Sequence, residues 1–96
     1  MNLVHSYVMT AAAGREQALA DALADLAEAV KTIAGSQGAM VLRDRREPGR
    51  FQFLEFWDSE DSRKAAGAQL PKATMGAIMG ALAGPLQMAG YDRLIG

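Results

Sequence analysis

The chain contains no cysteine, a single histidine and three prolines in its 96 residues. Without cysteine there is no disulfide, no thiolate nucleophile and no cysteine-ligated metal. One histidine rules out the usual multi-histidine metal site, though not a carboxylate-rich one. Neither sign of charge is in excess: ten basic residues stand against eleven acidic ones, for a net charge of −1. The one local cluster of arginines, Arg43, Arg45, Arg46 and Arg50, is interrupted by Asp44 and Glu47. It reads as a solvated loop tip rather than a phosphate-binding patch, so nucleic acid is not an expected partner. Also missing are an apolar run of membrane-spanning length and, at the amino terminus, the basic segment and apolar core of a secretory signal. A soluble, cytoplasmic protein is expected. The length suits a single domain over residues 1–96, small enough that burial within one chain is limited.

Aromatic residues make up only 6% of the chain, and most of them fall in one segment. Met40 to Ser59 has two runs rich in β-branched and aromatic residues flanking Glu47-Pro48-Gly49-Arg50. Pro48 presets φ for the second position of a tight turn and Gly49 suits a positive φ at the third, so a β-hairpin is expected. In its second arm, Phe51, Phe53, Glu55 and Trp57 share one face, while Gln52, Leu54 and Phe56 share the other. A strand with large apolar residues on both faces needs cover on both.

The rest of the chain supplies one cover. Asn2 to Thr10 alternates as a strand, with Leu3, His5, Tyr7 and Met9 on one side. From Arg15 the period changes. Leu19, Leu23, Leu26, Val30 and Ile33 form the stripe of an amphipathic helix of about five turns. Gly35 is placed to cap it and Gly38 precedes the hairpin. Asp58 or Ser59 can cap a second helix reaching about Ala68. Pro71 breaks it and opens another, Lys72 to Ala83, with Met75, Ile78, Met79 and Leu82 as its stripe. Leu86 to Ile95 reads as a last strand, irregular at Ala89-Gly90. The order β-α-β-β-α-β predicts an α+β, ferredoxin-like split βαβ fold with a four-stranded antiparallel sheet. Its helices cover one sheet face only. Leu54 and Phe56 then require a second sheet, most simply from another copy of the chain, and a homodimer is expected.

Gly14, Gly38, the Arg-Asp…Pro-Gly-Arg-Phe hairpin and Leu54-Glu55-Phe56-Trp57-Asp58-Ser59 resemble the antibiotic biosynthesis monooxygenase family along nearly the whole chain. The resemblance implies a ferredoxin-like domain that dimerises sheet to sheet into an α+β barrel. It also implies activities ranging from metal- and flavin-free oxygenation of quinols and polyketides to haem degradation. Trp57 stands where the family commonly has a pocket tryptophan. Haem-degrading members carry an asparagine where this chain has Tyr7, and an iron-binding histidine where it has Gly67. Haem is therefore not expected as a ligand, nor any other cofactor.

Tyr7 and His5, about 7 Å apart along one strand face, are candidates to steer a proton from a phenol or quinol. Trp57 stacks on a flat substrate, aims its indole N–H at a bound oxygen species, or anchors the core. Phe53, Met75 and Met79, with Trp57, are the candidate pocket wall. The methionines, with Met88 as a third, equally suit helix-to-sheet packing. Glu55, if buried, is expected to pair with Arg43, Arg45 or a backbone donor. Two functions remain open: a cofactor-free monooxygenase acting on a small quinol or polycyclic phenol, and a non-catalytic ligand-binding or dimerisation module on the same fold.

Overall fold

The computed structural model describes residues 2–96. The first strand, β1 (Leu3–Thr10), leads into helix α1 (Glu16–Lys31), followed by strands β2 (Ser36–Arg43) and β3 (Arg50–Trp57). Helix α2 (Glu60–Ala66), a 3₁₀ turn at Gly67–Gln69 and helix α3 (Lys72–Ala81) come next, and β4 (Gln87–Asp92) closes the sheet. All pairings are antiparallel, in the order β2-β3-β1-β4. This is the expected α+β ferredoxin-like arrangement. No helix among the described residues is long and apolar enough to cross a membrane.

The stripe on α1 behaves as its spacing requires: Leu19, Leu23, Leu26, Val30 and Ile33 are all buried. They pack on Met9, Phe51, Phe53 and Trp57 of the sheet, with Ile78 and Ala81 of α3 completing the core. In β3 the period of two divides the residues cleanly. Phe51, Phe53, Glu55 and Trp57 are buried beneath the helices, whereas Gln52, Leu54 and Phe56 are half-buried on the outer face. Around them Met40 and Leu42 of β2 and Tyr91 of β4 are exposed, as are Leu94 and Ile95 beyond the last strand.

Several boundaries differ from the sequence pattern, each for a local reason. Strand β2 begins at Ser36, ahead of Gly38, the residue expected to precede the hairpin. Gly35 turns the chain in a single left-handed residue, φ +87°, and an irregularity between Ser36 and Gly38 absorbs the extra length. At the hairpin tip, Arg50 N–H donates to the Glu47 carbonyl at 2.8 Å, so the turn at Pro48-Gly49 exists. Gly49 is not left-handed, however. The reversal is instead begun by Asp44, whose Oδ1 accepts from the N–H groups of Arg46 and Glu47 at 2.7 and 2.9 Å. Ser59 caps α2 by accepting from Ser62 N–H. Helix α3 stops at Ala81 because Leu82 leaves it to bridge Ala11, with Ala83 N–H donating to the Thr10 carbonyl. Strand β4 runs regularly through Ala89 and Gly90 and ends at Asp92.

Candidate functional site

Strand pairing brings together residues far apart in the chain. In the β1–β3 register, His5 lies opposite Glu55, Tyr7 opposite Phe53 and Leu3 opposite Trp57. Since all of these point toward the helices, the centre of the covered sheet face carries an imidazole, a phenol, a carboxylate and an indole. Glu55 is only 6% exposed, and an unpartnered carboxylate there would be costly. Its partners are not Arg43 or Arg45, as expected from sequence. The Arg43 guanidinium lies over the Phe51 ring, 5.0 Å from its centroid. The donors are instead Trp57 Nε1, 3.1 Å from Glu55 Oε1, and the Tyr7 hydroxyl, 3.4 Å from the same oxygen.

Beside this corner lies a cavity of about 90 Å³, bounded by Tyr7, Met9, Phe53 and Glu55 of the sheet and by Leu26, Met75 and Ile78 of the helices. Leu70, Met79 and Leu86 complete its rim. Apart from Tyr7 and Glu55 the wall is apolar. It has one polar corner.

Three of the expected wall residues, Phe53, Met75 and Met79, border this space. Trp57 does not. It is 1% exposed, and its indole N–H is spent on the Glu55 carboxylate. Met88 is exposed on β4 and does not border the cavity either. Nor do His5 and Tyr7 converge on one space. Their ring centroids are 6.1 Å apart, but only Tyr7 lines the cavity. His5 Nε2 faces Glu60 Oε2 of α2 at 3.7 Å, and its Nδ1 is buried with no partner among the described residues. Glu60 in turn holds the Arg63 guanidinium in an ion pair. Arg63 and Glu60 were not legible as neighbours of the site, because a seven-residue helix carries too short a pattern to say which of its charged residues lie near the sheet.

Burial raises the Glu55 pKa, and this outweighs the hydrogen bonds from Trp57 and Tyr7 and the positive fields of His5 and Arg63, which lower it. For Tyr7, burial and then the nearby negative charge of Glu55 push the phenol up to about 12, with Arg63 opposing. Tyr7 is thus a hydrogen-bond donor across the neutral range. It does not serve as a base there.

A haem does not fit these residues. Gly67 is exposed in the 3₁₀ turn and has no side chain to offer, while His5 is buried and turned toward α2. Among the described residues no group of three or more His, Cys, Asp or Glu side chains is placed to hold a metal ion.

The sequence profile of the antibiotic biosynthesis monooxygenase family matches residues 3–68. No curated protein sequence matches significantly. Among solved structures, the chain is similar to a Chloroflexus aurantiacus protein provisionally described as an antibiotic biosynthesis monooxygenase, with a TM-score of 0.83 and 23% identity over 100% of this chain and 96% of that one. It is similar to a Nitrosomonas europaea protein of unknown function, with a TM-score of 0.83 and 23% identity over 99% and 91% of the two chains. A variant of SnoaB, a cofactor-independent oxygenase from Streptomyces nogalater, superposes with a TM-score of 0.82 at 12% identity, covering 99% and 95%. At these identities the likeness to solved structures is one of fold.

Proposed function

This chain belongs to the antibiotic biosynthesis monooxygenase family, and we propose that it oxygenates a small quinol or phenol directly with O₂, without metal or flavin. The observation that carries this reading is the cavity beneath the helices, apolar except at the Tyr7–Glu55 corner. Such a space favours a flat aromatic ring, excludes water from a reactive anion, and offers polar groups to orient one hydroxyl. The similarity to SnoaB, itself a cofactor-independent oxygenase, agrees with it. With hydroquinone as substrate, one oxygen atom enters the ring and the other leaves as water, giving hydroxybenzoquinone. All the electrons that reduce O₂ come from the substrate.

Size narrows the substrate. An engineered apolar cavity of roughly 150 Å³ takes up benzene; at about 90 Å³ this one accepts a single ring only if its wall gives way. Met79 is 62% exposed and Met75 half-buried, and flexible thioethers can move outward at low cost. One ring is favoured over a polycyclic phenol.

On the opposite side of the sheet, Val4, Leu54 and Phe56 lie half-buried beside exposed Met40, Leu42 and Tyr91. A contiguous apolar face on a chain with almost no net charge is an aggregation hazard unless covered. In our reading a second copy covers it, sheet against sheet about a twofold axis.

Oxygen consumption by the purified protein with a panel of substituted hydroquinones tests the catalytic reading. Saturable uptake above the buffer rate is expected for single-ring members. Thermal stabilisation by the same compounds with no uptake would favour the non-catalytic binding module instead.

A further inference from the structure

Only one oxygen of the Glu55 carboxylate is occupied. Oε1 accepts from both Trp57 Nε1 and the Tyr7 hydroxyl. Oε2 accepts from no described residue. Yet among the described residues the one buried side-chain nitrogen or oxygen left without a partner is His5 Nδ1. Oε2 therefore keeps contact with open space, and the space that Glu55 borders is the cavity. A carboxylate fixed through one oxygen and bare at the other, in an apolar wall, is well placed to meet a substrate hydroxyl.

We infer that Glu55 Oε2 is the proton acceptor for the acidic hydroxyl of the substrate, with Trp57 and Tyr7 as positioning residues that hold the carboxylate through Oε1. The inference rests on the phenol or quinol reading above and deepens it. In the step, the substrate O–H bond breaks, its electron pair stays on the substrate oxygen, and the proton forms a new O–H bond at Oε2. The resulting phenolate is the electron-rich species that O₂ oxidises, and the proton leaves with the water made from the second oxygen atom. The substrate class follows: single-ring phenols and hydroquinones with a free hydroxyl. Their methyl ethers are excluded.

No other group in the cavity fills this role. Tyr7 keeps its own proton up to about pH 12. His5 does not line the cavity and faces Glu60. The groups that act on Glu55 are Tyr7 and His5 from β1, Trp57 on β3 itself and Arg63 from α2, with Glu60 of α2 behind His5. From β2 the neighbour is Ala39, and α1 and α3 present Leu26, Met75 and Ile78 to the cavity. Because burial dominates, Glu55 takes up its proton above the usual carboxylate range, and catalysis falls in acid as it does so.

Glu55→Gln tests this. It keeps an oxygen for Trp57 and Tyr7 but replaces Oε2 by an amide nitrogen that accepts no proton. Binding of phenol and of anisole is followed by the fluorescence of Trp57, the sole tryptophan, and oxygen uptake with hydroquinone is measured across pH. The native protein should prefer phenol to anisole by about tenfold or more, and Glu55→Gln should lose that preference. Its kcat should fall by roughly 10²–10⁴-fold with KM little changed, and the acid limb of the pH profile should vanish. Tyr7→Phe, which leaves the carboxylate in place but removes one hydrogen bond that lowers its pKa, should shift that limb to higher pH. This second variant keeps the test decisive should Glu55→Gln fold poorly. A phenol preference or oxygen uptake that survives Glu55→Gln overturns the assignment, as does an acid limb unmoved by Tyr7→Phe or a native protein indifferent between phenol and anisole. If phenol preference depends on Glu55 but the native protein consumes no oxygen, Glu55 stands only as the hydrogen-bond acceptor for the hydroxyl, and both the proton transfer and the oxygenase reading fall.

Discussion

Leu54→Glu is expected to abolish the proposed sheet-to-sheet dimer while leaving the subunit folded. Leu54 lies on the outer face of β3, half-buried between Ser6 of β1 and Met40 of β2. Nothing beneath the helices touches it. In a sheet-to-sheet dimer each large side chain fully removed from water contributes roughly 1.5–3 kcal/mol, and a twofold axis counts Leu54 twice. A carboxylate at that position forfeits this and adds two like charges facing each other in a dry interface. An interface of ordinary size does not withstand such a loss. Sedimentation velocity at micromolar concentration should show a monomer, or the protein should precipitate through its remaining exposed apolar face. An unchanged dimer would remove the outer sheet face as the interface.

The same substitution on the other side of the sheet should act quite differently. Leu19 is fully buried among the side chains of α1 and the covered sheet face. Truncating such a leucine typically costs about 2–5 kcal/mol, and burying an uncompensated carboxylate in its place costs more. Set against a total stability of roughly 5–15 kcal/mol for a domain, and the low end of that range for one this small, Leu19→Glu should leave the subunit unfolded. Loss of the far-ultraviolet circular dichroism of the native chain, or a denaturation midpoint near zero denaturant, is the expected result. A cooperative transition close to the native one would mean that α1 does not pack as described.

The contrast between those two leucines was visible in the sequence, because period alone decides it. In β3 a repeat of two separates Leu54 and Phe56 from Phe53, Glu55 and Trp57 whatever the neighbours are, and in α1 the spacing of Leu19, Leu23, Leu26, Val30 and Ile33 admits one buried face. The order of elements then leaves few topologies. What period does not encode is side-chain direction beyond Cβ. Trp57 and Glu55 share a face, but that the indole turns back along its own strand to reach the carboxylate is a matter of torsions and of the space left by Leu3 opposite. Likewise Arg43 has the parity to approach Glu55 yet settles over Phe51. Met79 belongs to the apolar stripe of α3 but sits where the short helix passes the edge of the core, and stays exposed. The hairpin tip shows the limit of turn rules: Pro48-Gly49 suited a left-handed glycine, and the side chain of Asp44, three residues earlier than Glu47, organised the reversal in another way.

The most direct measurement is a crystal structure of the protein with hydroquinone bound under anaerobic conditions. The ring should lie between Phe53, Met75 and Ile78, with Met79 displaced outward and one hydroxyl within roughly 3.2 Å of Glu55 Oε2. A ring bound on the outer sheet face, or one inside the cavity with both hydroxyls turned away from Glu55, would contradict the account.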